Sequence, residues 1–175
     1  MVRESGKPVL AGWVTGTPRG GGSRARFVNG RAVSFAAAGR SAVLWRGLLT
    51  RHVREVVELA GGRPAVDQLI AGAPLGLAVR FVFGTRYERR WDRFHTSRPD
   101  VDNLLKIFLD VLTKEGALGS HDDARIAACE PVKVWGRVAG AGWTLRALAP
   151  PRSGRTLGVD VLSAPTGPEW VDVAR

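Results

Sequence analysis

Apolar residues in the first sixty positions fall into three patterns. VLAGWVT, residues 9–15, is a short apolar run that ends at Thr-Gly-Thr-Pro, which predicts a strand followed by the glycine-rich basic loop TPRGGGSR. In RFVNGRAVSF, Asn29-Gly30 stands between two apolar stretches, and a two-residue hairpin turn favours that pair because it needs positive φ. From Ser41 the period lengthens, with Trp45, Leu48, Leu49, His52, Val53, Val56 and Leu59 at helical spacing, so a helix capped by Ser41 should run to about 59 and stop at Gly61-Gly62. LGLAVRFVF, 75–83, alternates as a strand with Leu77, Val79, Phe81 and Phe83 on one face, and a helix over 101–114 and strands near 125–135 and 142–148 follow. This order predicts an α/β fold: a small single-domain mixed sheet with antiparallel pairing, packed by two main helices, over residues 1–149. Residues 150–175 read as a Pro/Gly-rich C-terminal tail.

The 101–114 segment has two faces. Val101, Leu104, Leu105, Phe108, Leu109, Val111 and Leu112 gather on one side and predict a core stripe. Asp102, Asn103, Lys106, Asp110 and Thr113 share the other arc, and alone they describe a solvated face whose i,i+4 ion pairs are each worth about 0.2–0.5 kcal/mol. The start of the helix changes that picture. Pro99 disfavours helical backbone at Arg98, which puts Asp100 at the N-cap and Asp102 in the first turn. Capping accounts for one acid, not for two accompanied by Asp122-Asp123 behind the turn at Gly116 and Gly119. Those last two read as the mouth of a returning strand, where neighbours face opposite ways and only one of the pair would aim at a shared site. Carboxylates that converge need a cation, and oxygen donors select Mg²⁺ or Mn²⁺ over zinc. Asp110 stands about 12 Å of helical rise beyond Asp102 and is expected to pair with Lys106 or Lys114 instead. Lys106, one turn inside the helix, can reach a phosphoryl oxygen.

Charge adds a partner class. Lys and Arg total 26 against 16 Asp and Glu, for a net charge of +10 and a pI near 11.2. Such a balance suits a polyanion bound through phosphate contacts, although an arginine-rich composition from a GC-rich genome yields the same totals. Arg86, Arg89, Arg90, Arg93 and Arg98 alternate with Tyr87, Trp91 and Phe94, rings that can stack on unpaired bases or cover a sheet edge. The lone Cys129 excludes an intrachain disulfide or a cysteine-cluster metal site and fits a reducing compartment, so the cytoplasm is expected. The polar N-terminus lacks a signal-peptide core, and no apolar run approaches the ~18 residues of a membrane span, so no membrane association is expected. An NTP site at PRGGGSR lacks the Gly-x-x-x-x-Gly-Lys-Ser/Thr pattern, no Gly-x-Ser-x-Gly occurs, and His121 reads as an exposed loop histidine.

PDVDNLLKIFLDVLTKEGALGSHDDARI resembles the signature of RusA-type Holliday junction resolvases: acid-x-acid-Asn opening a helix, a lysine four residues after the second acid, and a downstream Asp-Asp. The resemblance implies a RusA-like domain over 1–149 and a homodimeric crossover junction endodeoxyribonuclease that depends on Mg²⁺, with Mn²⁺ able to substitute. Such an enzyme nicks two opposed strands of a branched, four-way DNA junction. Carried over by residue, it implies Asp100, Asp102 and Asp123 as catalytic metal ligands, Asp122 as a further candidate ligand, Lys106 as the catalytic lysine and Asn103 as a support residue near DNA. It leaves Arg19 and Arg24 of the basic loop, with Arg86, Arg89, Arg90, Arg93 and Arg98, to hold the DNA. Pro99 occupies a position where some members carry a basic residue. The competing expectation is a non-catalytic basic DNA-binding protein whose acids only cap and pair.

Overall fold

The computed structural model describes residues 8–21, 23–29, 31–36 and 39–148. In chain order these form β1 (Pro8–Thr15), β2 (Ser23–Val28), β3 (Arg31–Ala36), α1 (Arg40–Leu59), α2 (Gly62–Ile70), β4 (Leu75–Gly84), α3 (Val101–Lys114), β5 (Ile126–Gly136) and β6 (Gly140–Ala147). Two 3₁₀ turns, Glu88–Arg90 and Asp123–Arg125, flank α3 in sequence. The main sheet has the order β1-β6-β4-β5, and β2 pairs with β3 as a separate hairpin. Asn29 in that hairpin's turn takes φ 50°, as the Asn-Gly pattern predicts, while Gly30 lies outside the described residues. The segment 150–175, expected to be a tail, lies outside them too.

β1 and β4 both run antiparallel to β6, whereas β4 and β5 are parallel. Parallel neighbours need a crossover, and α3 is that crossover. β4 is central and buried on both sides, which a simple alternation did not foresee. Leu75, Leu77, Val79, Phe81 and Phe83 face the helices, joined by Leu10 and Val14 of β1 and by Ala141, Trp143 and Leu145 of β6. Trp13, Val82 and Val134 form a small cluster on the other side. The expected α/β architecture with a mixed sheet is therefore present, with α1 and α3 as its main helices.

Three local expectations are corrected. Gly61, at φ 95°, does not simply stop α1 but redirects the chain into α2, whose buried Val66 and Ile70 seal the lower part of the core. Ser41 lies inside α1, and the N-cap is Gly39 with no side-chain cap bond. On α3, Ile107 is buried whereas Val101 is 36% exposed, which shifts the core stripe by part of a turn from the pattern read in the sequence.

Candidate active site

Among the described residues, no side chain pairs with the carboxylates at the start of α3. Asp100 is the N-cap residue with extended backbone, yet its side chain makes no capping bond; only its carbonyl accepts the Leu104 N–H, at 3.2 Å. Asp100 and Asp102 are exposed, and Lys106 is exposed one turn further on. Among the described residues none of the three side chains has a hydrogen-bond or ion-pair partner. The i,i+4 pairing that would make this a merely solvated face is thus not formed. Asp110 pairs with neither Lys106 nor Lys114, as expected from sequence, but with Arg46 at 3.1 Å, because α1 packs alongside α3.

Two through-space contacts fix that helix start. The Lys133 ammonium, on β5, donates to the Ser97 carbonyl at 2.8 Å and the Pro99 carbonyl at 2.7 Å. Just upstream, residues 92–95 pair with the far edge of β5: Trp135 N–H donates to Arg93 O, Asp92 N–H to Trp135 O and His95 N–H to Lys133 O, each at 2.9 Å. His95 is buried, stacked on Phe83 with ring centroids 3.9 Å apart and tilted against Trp135. Burial and the nearby Lys133 hold its pKa below the usual histidine value. On the other side the glycine loop leans on α3, with Gly21 N–H donating to Asn103 O at 3.4 Å. A Cβ on Gly20 would stand 3.1 Å from both Asn103 Cβ and Pro99 Cβ, so glycine is what lets the loop lie against the helix.

This same end is the basic one. Arg19 is exposed on the docked loop, and Arg86, Arg89, Arg90, Arg93 and Arg98 are exposed beyond the end of β4. The Arg24 side chain falls outside what the structure describes. Arg86, Arg89 and Arg90 surround the Tyr87 ring, with guanidinium carbons 5.1, 6.0 and 5.4 Å from its centroid. Trp91 is tied down through its indole N–H to Thr85 O at 3.0 Å, whereas the Phe94 ring is 74% exposed. A cleft of about 660 Å³ opens between Arg86, Glu88, Trp91 and Arg137.

Asp122 and Asp123 lie elsewhere. They sit on a 3₁₀ turn rather than in the mouth of the strand, and the Asp122 carboxylate accepts the Ala124 N–H at 3.1 Å, whereas the Asp123 side chain has no partner among the described residues. Arg125 ties this turn to Ala73 O, next to the start of β4, and Leu75 pairs with Ile126. Asp67 of α2 holds the preceding loop, accepting the Ser120 N–H at 2.7 Å and the Ser120 hydroxyl at 2.6 Å. The anchor for Pro99 is thus Lys133, and the anchor for Asp123 is the region of Ile126. These are seven residues apart on β5, about 23 Å of strand. Because α3 is a crossover, its two ends serve opposite ends of the strands it joins. One chain therefore does not bring Asp123 to Asp100 and Asp102, contrary to the convergence expected. Among the described residues no three His, Cys, Asp or Glu side chains are grouped to hold a metal ion.

The family model for endodeoxyribonuclease RusA matches residues 50–142, more than half of the chain. The chain belongs to the RusA endodeoxyribonuclease family. It is also 41% identical over 61 residues to a protein from Lactococcus phage r1t named crossover junction endodeoxyribonuclease rusA. That match covers 35% of this chain and 45% of the phage protein, so the chain spans less than half of its relative's length. The RusA match reaches from within α1 to β6 and contains both ends of α3, the arginine stretch and Lys133, while Arg19 and Arg24 fall before it.

Within this RusA domain, the exposed acids and the Lys106 ammonium share a helix start that directly follows the exposed arginines of residues 86–98. Such an arrangement can accept a phosphodiester on its arginines while keeping carboxylate oxygens beside the bound phosphate. Periodicity and spacing pointed to Asp100, Asp102 and Lys106. Lys133 and Asp67 gave no signal, since each acts on groups dozens of residues away. No helix among the described residues is long and apolar enough to cross a membrane.

Proposed function

We propose that this protein is a structure-selective endodeoxyribonuclease that resolves four-way DNA junctions by paired symmetric nicks, acting as a homodimer in recombination and repair. The observation that carries the reading is the N-cap Asp100 whose carboxylate does not cap, with Asp102 and Lys106 beside it, all three unpartnered among the described residues and within the stretch matched to RusA. A helix start that needed acids only for stability would use Asp100 as a cap.

In this reading the exposed arginines, with Arg19 on its docked loop, hold phosphates on both sides of the scissile bond without reading sequence. Lys106 offsets the charge that accumulates on the non-bridging oxygens as water attacks. Asp100 and Asp102 accept hydrogen bonds from the attacking water and fix its line of approach. Among the described residues of one chain no three carboxylates are grouped to hold Mg²⁺. A divalent-cation requirement remains part of the proposal, with a second copy as the source of the missing carboxylate. Two-fold symmetric substrates and paired cuts suit a C2 dimer.

The test uses a synthetic four-way junction and a matched linear duplex, with Mg²⁺ and with a chelator. Symmetric nicking of the junction only with the cation is expected, and Asp102→Asn should reduce it by about 100-fold or more while junction affinity stays within a few-fold. Junction binding without any cleavage would favour the non-catalytic DNA-binding alternative. Cleavage undiminished in Asp102→Asn would remove the acid from the chemistry.

A further inference from the structure

The geometry points to Lys133 as a positioning residue, a clamp that holds the start of α3 so that Asp100 need not cap its own helix. The inference rests on the cleavage reading above and names a residue that neither the acid-x-acid pattern nor the arginine stretch contains.

An N-cap residue ordinarily fixes the approach to its helix through its side chain, which accepts an N–H from the first turn. At α3 that bond is missing, although Asp100 has the extended backbone that would permit it. The approach is instead held by Lys133. Its ammonium reaches the carbonyls of Ser97 and Pro99, at 2.8 and 2.7 Å, short distances typical of bonds in which one partner carries full charge. Pro99 has no N–H, so its carbonyl is the backbone group through which this residue can be held. Lys133 is itself well fixed. It is half-buried on β5 beside the His95–Trp135 stack, it pairs with Phe81 of β4, and its own carbonyl accepts the His95 N–H.

The clamp therefore transfers the rigidity of the sheet to Ser97 and Pro99, within the three residues preceding the acids. It leaves the Asp100 carboxylate to point outward instead of folding back onto the helix. Both Lys133 bonds go to backbone carbonyls on its own chain, which separates its role from that of Lys106, whose ammonium is unpartnered among the described residues. Lys133 acts through Asp100 and Asp102 rather than on the substrate.

Lys133→Met keeps the stem and removes the donors; Lys133→Arg keeps the charge and can span both carbonyls. In Lys133→Met we expect kcat on a four-way junction to fall 10- to 100-fold, with KM and junction affinity within about threefold, since a displacement of roughly 1 Å at a reacting group is enough for such a loss. Lys133→Arg should recover most of the rate. Backbone hydrogen exchange gives a readout independent of cleavage: the amides of residues 101–104 should exchange at least tenfold faster in Lys133→Met and near wild type in Lys133→Arg, with β4 and β6 unchanged. If Lys133→Met does not fold, Lys133→Gln is read in its place. Wild-type exchange and turnover in the uncharged variant would overturn the inference. So would a fall in junction affinity that matches the loss of rate, which would mark Lys133 as a phosphate contact. If the wild-type protein cleaves no branched DNA, the functional reading fails by itself, and the exchange comparison still decides whether Lys133 clamps the helix.

Discussion

Gly20 and Asp67 illustrate how single residues set the geometry from outside the acid-rich segment. Gly20 lies so close to Pro99 and Asn103 that a Cβ there would stand 3.1 Å from each of their Cβ atoms and would have to push them back by a few tenths of an ångström. Gly20→Val should lift the loop and carry Arg19 away from α3, weakening junction binding a few-fold in a low-salt titration while the melting midpoint moves by only a few degrees. Equal affinity would show that the docked loop does not contribute to DNA binding. Asp67 accepts two hydrogen bonds from Ser120, and these hold its carboxyl below the ordinary carboxylate pKa. A carboxyl whose folded pKa is depressed adds stability that is present above its unfolded pKa and is lost as pH falls through the folded one. The clamp on the loop before Asp122 and Asp123 should therefore persist through pH 5 and weaken below the usual carboxylate range. In melts recorded from pH 6 down to pH 2, Asp67→Asn should show a shallower acid decline than the wild type. Parallel curves would deny the clamp a role in acid stability.

At the scale of elements, α3 determines both the fold and the site. Its buried stripe of Leu104, Ile107, Phe108, Val111 and Leu112 packs on β4 and β6, and Phe108 meets Phe81 and Trp143 edge-on at 6.2 and 5.9 Å. Phe108→Ala, at a fully buried position, should cost about 3–5 kcal/mol of stability by chemical denaturation, with kcat per folded molecule little changed. A loss under 1 kcal/mol would mean that the core relaxes around the gap. The boundaries of α3 were legible because a 14-residue amphipathic period between Pro99 and Gly116 leaves few alternatives. α2 was not, since nine residues with two buried side chains give too short a period, and Gly61-Gly62 reads equally as a stop or as a corner. Nor was the parallel pairing of β4 with β5, because strand direction depends on which edge α3 returns to, a property of three-dimensional packing that residue spacing does not encode. That one topological fact decides where Asp123 lies, and it is why spacing could find the acids but not their separation.

The whole molecule has to reconcile a basic end bearing Asp100 and Asp102 with an Asp123 held about 23 Å of strand away along β5. If Asp123 serves the same reaction, it must do so from another copy, and a C2 dimer supplies each site with Asp100 and Asp102 from one chain and Asp123 from its partner. This makes a prediction that a single-chain site cannot share. Asp102→Asn and Asp123→Asn homodimers should each be inactive. When the two proteins are mixed and allowed to exchange subunits, one site of the heterodimer carries both substitutions and the other carries neither. Nicking of a four-way junction should reappear in the mixture, up to roughly the heterodimer fraction times one site of two, and yield single nicks rather than paired cuts. Were both acids drawn from the same chain, each site of the heterodimer would hold one substitution and the mixture would stay inactive. Mixing Asp100→Asn with Asp102→Asn provides the control, since those two residues occupy one helix start and no exchange of chains can reunite them.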